Sequence, residues 1–368
     1  MHRWIGVFAR YDWALLLAAL SLAAIGLLAI FGIGISQTTN DLFQFNKQLL
    51  AVGIGVIFAI GLAFIDYRQL RTLALPIYGL GAAILVLALL VGTTNRNGGK
   101  WFVLGSLSFQ PIEFAKITLV IFLAAYVARH AHKRLPWTAL IGSVAIMVPY
   151  LGLTLAQPDF GSAMVLVATW VAIVLFCGLP RHAWWIFLLT FTVLASLLWT
   201  VGLRPYQRDR ITSFIHPAAD PRGAAYNVAQ ARIAIGSGRL FGKGIGEGSQ
   251  ARLRFLPEAS TDFMFAVLGE ELGFVGLLVV LSLFGFLLFR LGQIAMSADD
   301  AFASICLIGF ASIIAFHLVV NAGMNLGMMP VTGIPLPFAS AAASSLVMMF
   351  VSVGIAEAVV VQSRGAFG

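Results

Sequence analysis

The chain has 368 residues, of which 60% are hydrophobic and only 10% charged, with 23 Lys+Arg against 15 Asp+Glu and a net charge of +8. An ordinary soluble domain carries roughly 25% charged residues, so this composition excludes one, and no nucleic-acid partner is expected. The two cysteines, Cys177 and Cys306, fall in apolar runs without metal-ligand spacing and read as small core residues, so no disulfide framework is implied.

Apolar stretches of about 18 residues or more recur along the whole chain, each long enough to cross a hydrocarbon core of about 30 Å as a helix. They predict an all-α polytopic membrane protein with ten transmembrane helices, at approximately 13–34, 47–65, 73–92, 111–128, 138–156, 161–179, 183–203, 263–290, 302–326 and 341–362. The first is long for the apolar region of a cleaved signal and nine more follow it, so it reads as a retained anchor. An even count places both termini on one side. The short turns there hold Arg3, Arg10, Arg68, Arg71, Arg129, Lys133, Arg134, Arg181, Arg290 and Arg364, while the opposite short loops hold only Lys47, Arg96 and Lys100. The positive-inside rule then puts both termini in the cytoplasm. His130 and His132 stand beside Lys133 and Arg134 and read as part of a solvated basic turn.

No soluble domain and no clear internal repeat is visible, so residues 1–368 are expected to form one integral membrane domain. Its polar mass lies in two outward loops, 93–110 and 204–262. The second, between the seventh and eighth spans, is basic and too long to be structureless. Gln207–Pro217 and Tyr226–Gly236 within it have helical apolar spacing, which predicts short interfacial helices touching membrane lipid.

At the start of the fourth span, FQPIEFAK places Pro111 where a first helical turn accepts it and puts Glu113 and Lys116 three residues apart on one face. They form either a structural ion pair or the lining of a polar cavity, joined by Asp159 of AQPDFGS. The glycine series GSGRLFGKGIGEG, residues 236–248, lacks the spacing of a phosphate-binding P-loop. It reads equally as an anion-binding backbone nest or as a flexible loop. The basic residues around it suit a phosphate-bearing ligand or anionic head groups.

Four carboxylates then gather: Glu258 and Asp262 at the mouth of the eighth span, Glu270 and Glu271 within it. Thr261 or Asp262 is a natural N-cap, yet four acids exceed what capping needs. Glu270 lies about 80° around the helix from Asp262 and about 12 Å deeper, with Glu271 nearly opposite. The deeper two are therefore expected to fix the helix against its neighbours, leaving Asp262 at head-group depth. Farther on, Pro330, Pro335 and Pro337 interrupt the chain between the last two spans, which fits a re-entrant turn beside an outer cavity.

The segments GGKWFVLGSLSFQPIEFAK, AQPDFGS, DPRGAAYNVAQARIAIGSGRLFGKG, FLPEASTDFMFAVLGEELG and PVTGIPLPFAS occur in this order. Over nearly the whole chain they resemble the SEDS family, the shape, elongation, division and sporulation proteins. IAIGSGRLFGKG is more similar to the elongation members than to the division members. Departures are Ile112 where the family often has Ser, Arg239 for a common Gly, and Ala341–Ala343 in place of a glycine-rich turn.

The resemblance implies a peptidoglycan glycosyltransferase of a bacterial inner membrane that polymerises lipid II on the outer face. It also implies a class B penicillin-binding protein as partner, and maps the family's essential aspartate onto Asp262. With Asp262 as catalytic base, the expected substrate contacts are Glu113, Lys116, Asp159, Arg208, Arg210, Gln230, Lys243 and Glu258. No cofactor is certain; a divalent cation such as Mg2+ or Mn2+, held partly by Asp262, would also offset charge on the leaving pyrophosphate. The rival readings are a lipid II flippase or other transporter, with Glu113, Lys116 and Asp159 along its path, a division-type polymerase, and a membrane scaffold.

Overall fold

The computed structural model describes residues 10–36, 41–94, 99–105, 107–130, 134–179, 185, 205–216, 223–253 and 255–363. Among them eight helices are long and apolar enough to cross a membrane, and a ninth is apolar but shorter. In chain order the helices are α1 (Trp13–Ser36), α2 (Phe43–Leu62), the short α3 (Tyr67–Thr72), α4 (Ala74–Val91), α5 (Pro111–His130), α6 (Trp137–Ala156) and the shorter α7 (Phe160–Phe176). After α8 (Pro205–Ile215), α9 (Ala224–Ser237) and α10 (Ser249–Arg252) come α11 (Met264–Ser297), α12 (Ala301–Asn325) and α13 (Ala343–Ser363). Nine of the ten expected spans overlap one of these helices, and the expected span 183–203, residue 185 apart, falls outside the described residues.

Helix α5 is buried almost all round, packed against α4, α6, α12 and α13, so the polar residues of its first turns face protein rather than lipid. The peripheral faces are as apolar as the core: Leu90 on α4 and Phe289 on α11 are exposed, as a bundle solvated by hydrocarbon requires. At one end of the bundle the Arg290 Nε donates to Asp12 Oδ2 (2.6 Å), and the Asp12 amide donates to Glu357 Oε2 (2.8 Å). These bonds join the beginning of α1 to the late turns of α11 and α13, so the start of α1 and the end of α13 lie at the same end of the bundle. The functional loops occupy the other.

There, the expected polar loop 93–110 contains a three-stranded antiparallel sheet, β1 (Thr93–Thr94), β2 (Lys100–Leu104) and β3 (Leu107–Phe109), in that order. Gly105 takes a positive φ of 61° between β2 and β3. The period of two sets Trp101 and Val103 on one face of β2, with Ser108 of β3 opposite Val103.

The glycine series has a packing role. Helix α11 is interrupted at Gly273 (φ 69°, ψ −167°), and the loop 238–246 lies along the interruption like an added strand. Lys243 and Gly244 amides donate to the carbonyls of Glu270 and Glu271 (3.0 Å each), while Phe274 and Val275 amides donate to Arg239 and Leu240 carbonyls (2.8 and 3.0 Å). Backbone groups freed by the break are thereby satisfied at membrane depth. Such close approach tolerates no side chain: a Cβ on Gly242, itself at φ 81°, would run into the Glu271 carbonyl. Gly242→Ala is expected to cost about 2–4 kcal/mol, from the left-handed backbone and the clash together. A clear fall in the thermal unfolding midpoint of the detergent-solubilised protein is the check; an unchanged midpoint contradicts this packing.

Candidate active site

Five of the nine candidate residues, Glu113, Lys116, Asp159, Glu258 and Asp262, line one cavity of about 380 Å³ at the end of the bundle away from the start of α1 and the end of α13. Its wall is assembled from α2, the β2–β3 hairpin, the first turns of α5, the N-terminus of α7, the turn before α11, and the non-helical segment after α12.

The turn before α11 is built around Glu258. The amides of Thr261, Asp262 and Phe263 all donate to the Glu258 carbonyl (3.1–3.2 Å), and the Thr261 hydroxyl donates to Glu258 Oε2 (3.2 Å). The N-cap of α11 is Phe263, which makes no side-chain cap bond. Instead the Ala266 amide, in the first turn, donates to Asn325 Oδ1 of α12 (3.2 Å). A side chain of a neighbouring helix thus takes up one of the first-turn amides. Asp262 is held by its backbone: its carbonyl accepts from Asn321 Nδ2 (2.9 Å) and Asn325 Nδ2 (3.1 Å). Further bonds come from the segment after α12, where Ser340 Oγ donates to Thr261 O (2.6 Å) and the Ala341 amide to Ser260 O (2.7 Å). From α2, Gln48 Nε2 reaches Ser340 O (2.7 Å).

Pro111 opens α5, so Glu113 and Lys116 fall on its inward face one turn apart. Lys116 Nζ donates to Glu113 Oε1 at 2.8 Å, and both side chains are buried. The pair nonetheless lines the cavity, so the ion pair and the cavity lining foreseen as alternatives coexist. Lys116 Nζ also lies 3.1 Å from His317 Nε2. Asp159 caps α7, taking the Ser162 amide on Oδ1 (2.9 Å) and the Ser162 hydroxyl on Oδ2 (2.8 Å). Burial pushes the Asp159 carboxyl up from its ordinary value, with the Ser162 bonds and Lys116 opposing the rise.

The remaining candidates stand elsewhere. Lys243 donates to Glu270 Oε1 (2.6 Å) and Ser249 Oγ (2.9 Å), so its charge ties the glycine loop to α11. Glu270 also accepts from the Gln250 amide, and Glu271 Oε1 from the Gly246 amide (3.0 Å). The deeper two carboxylates therefore clamp the loop. Arg208 and Arg210 stand on α8 and Gln230 on α9, none of them on the cavity wall; Arg210 Nη1 donates to the carbonyl of Thr332, which is on that wall (3.2 Å).

Several residues of the site carry no local signal. His317 and Asn321 sit in an apolar helix, and only the four-residue spacing of Asn321 and Asn325 marks a polar face there. Lys47, which entered the reading only as a loop charge, lines the cavity from α2 and bonds Ser108 of the hairpin. Among the described residues no three His, Cys, Asp or Glu side chains converge to hold a metal ion. Among the described residues, protein side chains alone therefore supply no closed cage for a divalent cation.

Comparison with known proteins places this geometry in a family. Stage V sporulation protein E of Bacillus subtilis (strain 168) is 36% identical over 354 residues, covering 94% of this chain and 95% of the relative. Peptidoglycan glycosyltransferase MrdB of Escherichia coli (strain K12) is 33% identical over 344 residues, covering 94% and 92%. A solved chain from a study of how a peptidoglycan synthase complex coordinates polymerization and crosslinking superposes with a TM-score of 0.78 at 32% identity, covering 96% of this chain and 98% of that one. The family model described as cell cycle protein, spanning FtsW, RodA and SpoVE, matches residues 12–365. The chain belongs to the FtsW/RodA/SpoVE family, the SEDS proteins that its motifs resemble.

Proposed function

We propose that this protein is a peptidoglycan glycosyltransferase that polymerises lipid II into β-1,4 glycan on the outer face of a bacterial cytoplasmic membrane, in the service of elongation and rod shape. The glycosyltransferase class rests on relatives such as MrdB, which bears that activity in its name. The elongation role rests on the glycine-loop motif alone, since the family model spans FtsW, RodA and SpoVE together. Arg10, Arg68, Arg71, Arg129 and Arg290 belong to the end of the bundle opposite the cavity, which supports a cytoplasmic placement of that end and an outward-facing cavity.

One observation carries the catalytic reading: Asp262 is held through its backbone carbonyl and set on the wall of a cavity that also holds a buried ammonium. Asp262 acts as general base. It takes the proton of the 4-hydroxyl of the acceptor's N-acetylglucosamine as that oxygen attacks the anomeric carbon of the donor's N-acetylmuramic acid. The new C–O bond forms as the bond to undecaprenyl pyrophosphate breaks on the opposite side, with inversion from α to β. Pyrophosphate leaves with its electron pair and needs no strong acid, so one carboxylate suffices. Lys116 faces the growing negative charge, and Glu113, Asp159 and Glu258 contact the saccharide.

The partner in this reading is a class B penicillin-binding protein, supported by the similarity to a chain from a synthase complex. The test is polymerisation of labelled lipid II by the purified protein with such a partner in detergent. Without a membrane to separate two sides, a transporter yields no glycan; chains of many disaccharides are the expected product, and their absence contradicts the proposal.

A further inference from the structure

His317 is buried on α12 and lines the same cavity as Lys116 and Asp262. Its two ring nitrogens meet different partners: Nδ1 lies 3.2 Å from the carbonyl oxygen of Pro335, and Nε2 lies 3.1 Å from Lys116 Nζ. A carbonyl oxygen only accepts and an ammonium only donates. These contacts therefore fix the tautomer, with the proton on Nδ1 and the lone pair of Nε2 turned to Lys116. Of the three hydrogens on that ammonium, one goes to Glu113 (2.8 Å) and one to His317, leaving the third for the cavity.

One turn along the same face of α12, Asn321 Nδ2 donates both to Ile334 O (2.8 Å) and to Asp262 O (2.9 Å). The neighbouring carbonyls of Ile334 and Pro335 are thus gripped by two polar residues four apart on one helix. One of the two leads to the base and the other to the ammonium. A lysine on a four-carbon stem held by Glu113 alone would retain freedom to swing; the second contact removes it.

We propose that His317 is a positioning residue for glycosyl transfer: it holds the Lys116 ammonium in fixed register with Asp262, so that the free N–H meets a phosphate of the lipid-linked substrate. His317 acts only through Lys116. This rests on the function proposed for the cavity.

The test measures kcat/KM on lipid II, with the partner present, for His317→Leu, His317→Gln, Lys116→Met and the Leu/Met double variant, the last two also carrying Glu113→Leu so that no lone charge is left buried. His317→Leu is expected to lower kcat/KM by about tenfold or more, the size of a lost hydrogen bond to a charged group. His317→Gln is expected to restore it to within about threefold of the parent, because the amide oxygen accepts from Lys116 while the NH2 donates to Pro335. In the Lys116→Met background, His317→Leu is expected to add less than about a twofold loss, as couplings within one unit do. Where leucine costs the fold, judged by the unfolding midpoint, His317→Asn serves in its place, being polar but too short to span both partners. A glutamine variant as slow as the leucine one, or losses that multiply in the double variant, overturns the proposal and marks a packing role. Asp262→Asn is run beside them: polymerisation by that variant within about threefold of the parent overturns the reading of the cavity, while the His317–Lys116 comparison is still read in the same assay.

Discussion

Asp262→Asn is expected to lower lipid II polymerisation by about 10³-fold, the loss typical of removing a positioned general base, while leaving the unfolding midpoint and partner binding near those of the parent. The separation of the two effects follows from how the residue is held. Asn321 and Asn325 grip its carbonyl rather than its carboxylate, the turn hangs on the Glu258 carbonyl, and Asn325 takes up a first-turn amide of the helix. Converting one carboxylate oxygen to an amide nitrogen leaves all of these bonds in place. Glycan synthesis within about threefold of the parent would remove Asp262 from the chemistry. A variant that unfolds would instead show that the carboxylate holds the turn.

The second large effect is expected at Glu113. Its carboxylate and the Lys116 ammonium are 2.8 Å apart, with side-chain exposures of 3% and 2%. Removing one partner of such a pair strands the other charge in a poorly solvating interior, at a cost of about 3–5 kcal/mol. Glu113→Leu should therefore lower the unfolding midpoint steeply. Glu113→Leu with Lys116→Met should recover most of the stability, because no lone charge remains. The recovered protein separates the two roles of the pair: it is expected to fold, bind its partner and polymerise lipid II about 10²-fold more slowly than the parent, since the cavity has lost its cation. A stable and fully active double variant would assign the pair to structure alone.

The spans were legible because membrane insertion is read along one dimension: a run of about 20 apolar residues is a helix whatever its neighbours do. The Glu113–Lys116 pair was legible for the same reason, as three residues on a helix are adjacent in space. Asp262 stood out because it breaks an apolar pattern at a helix mouth. What escaped was set by contacts distant in sequence. Lys243 and the glycines around it have the residue types of an anion nest, yet Lys243 meets Glu270, 27 residues later, and Gly242 is needed because the backbone of α11 passes against it. Glycine permits both uses, and only the tertiary partner chooses between them. His317 is bound to Lys116 from 201 residues away, so nothing local marks its role. The hairpin 100–109 is short and lies next to the polar residues 93–99, which hid its alternation.

All of the mechanism depends on a lipid-borne saccharide meeting Asp262 inside the cavity. The direct measurement is a structure of the Asp262→Asn protein with lipid II bound, in which catalysis is arrested and substrate retained. The account predicts sugar density within the cavity, a saccharide hydroxyl within about 3 Å of residue 262 and a phosphate beside Lys116. Lipid II bound elsewhere, with the cavity empty or closed to the saccharide, would contradict it.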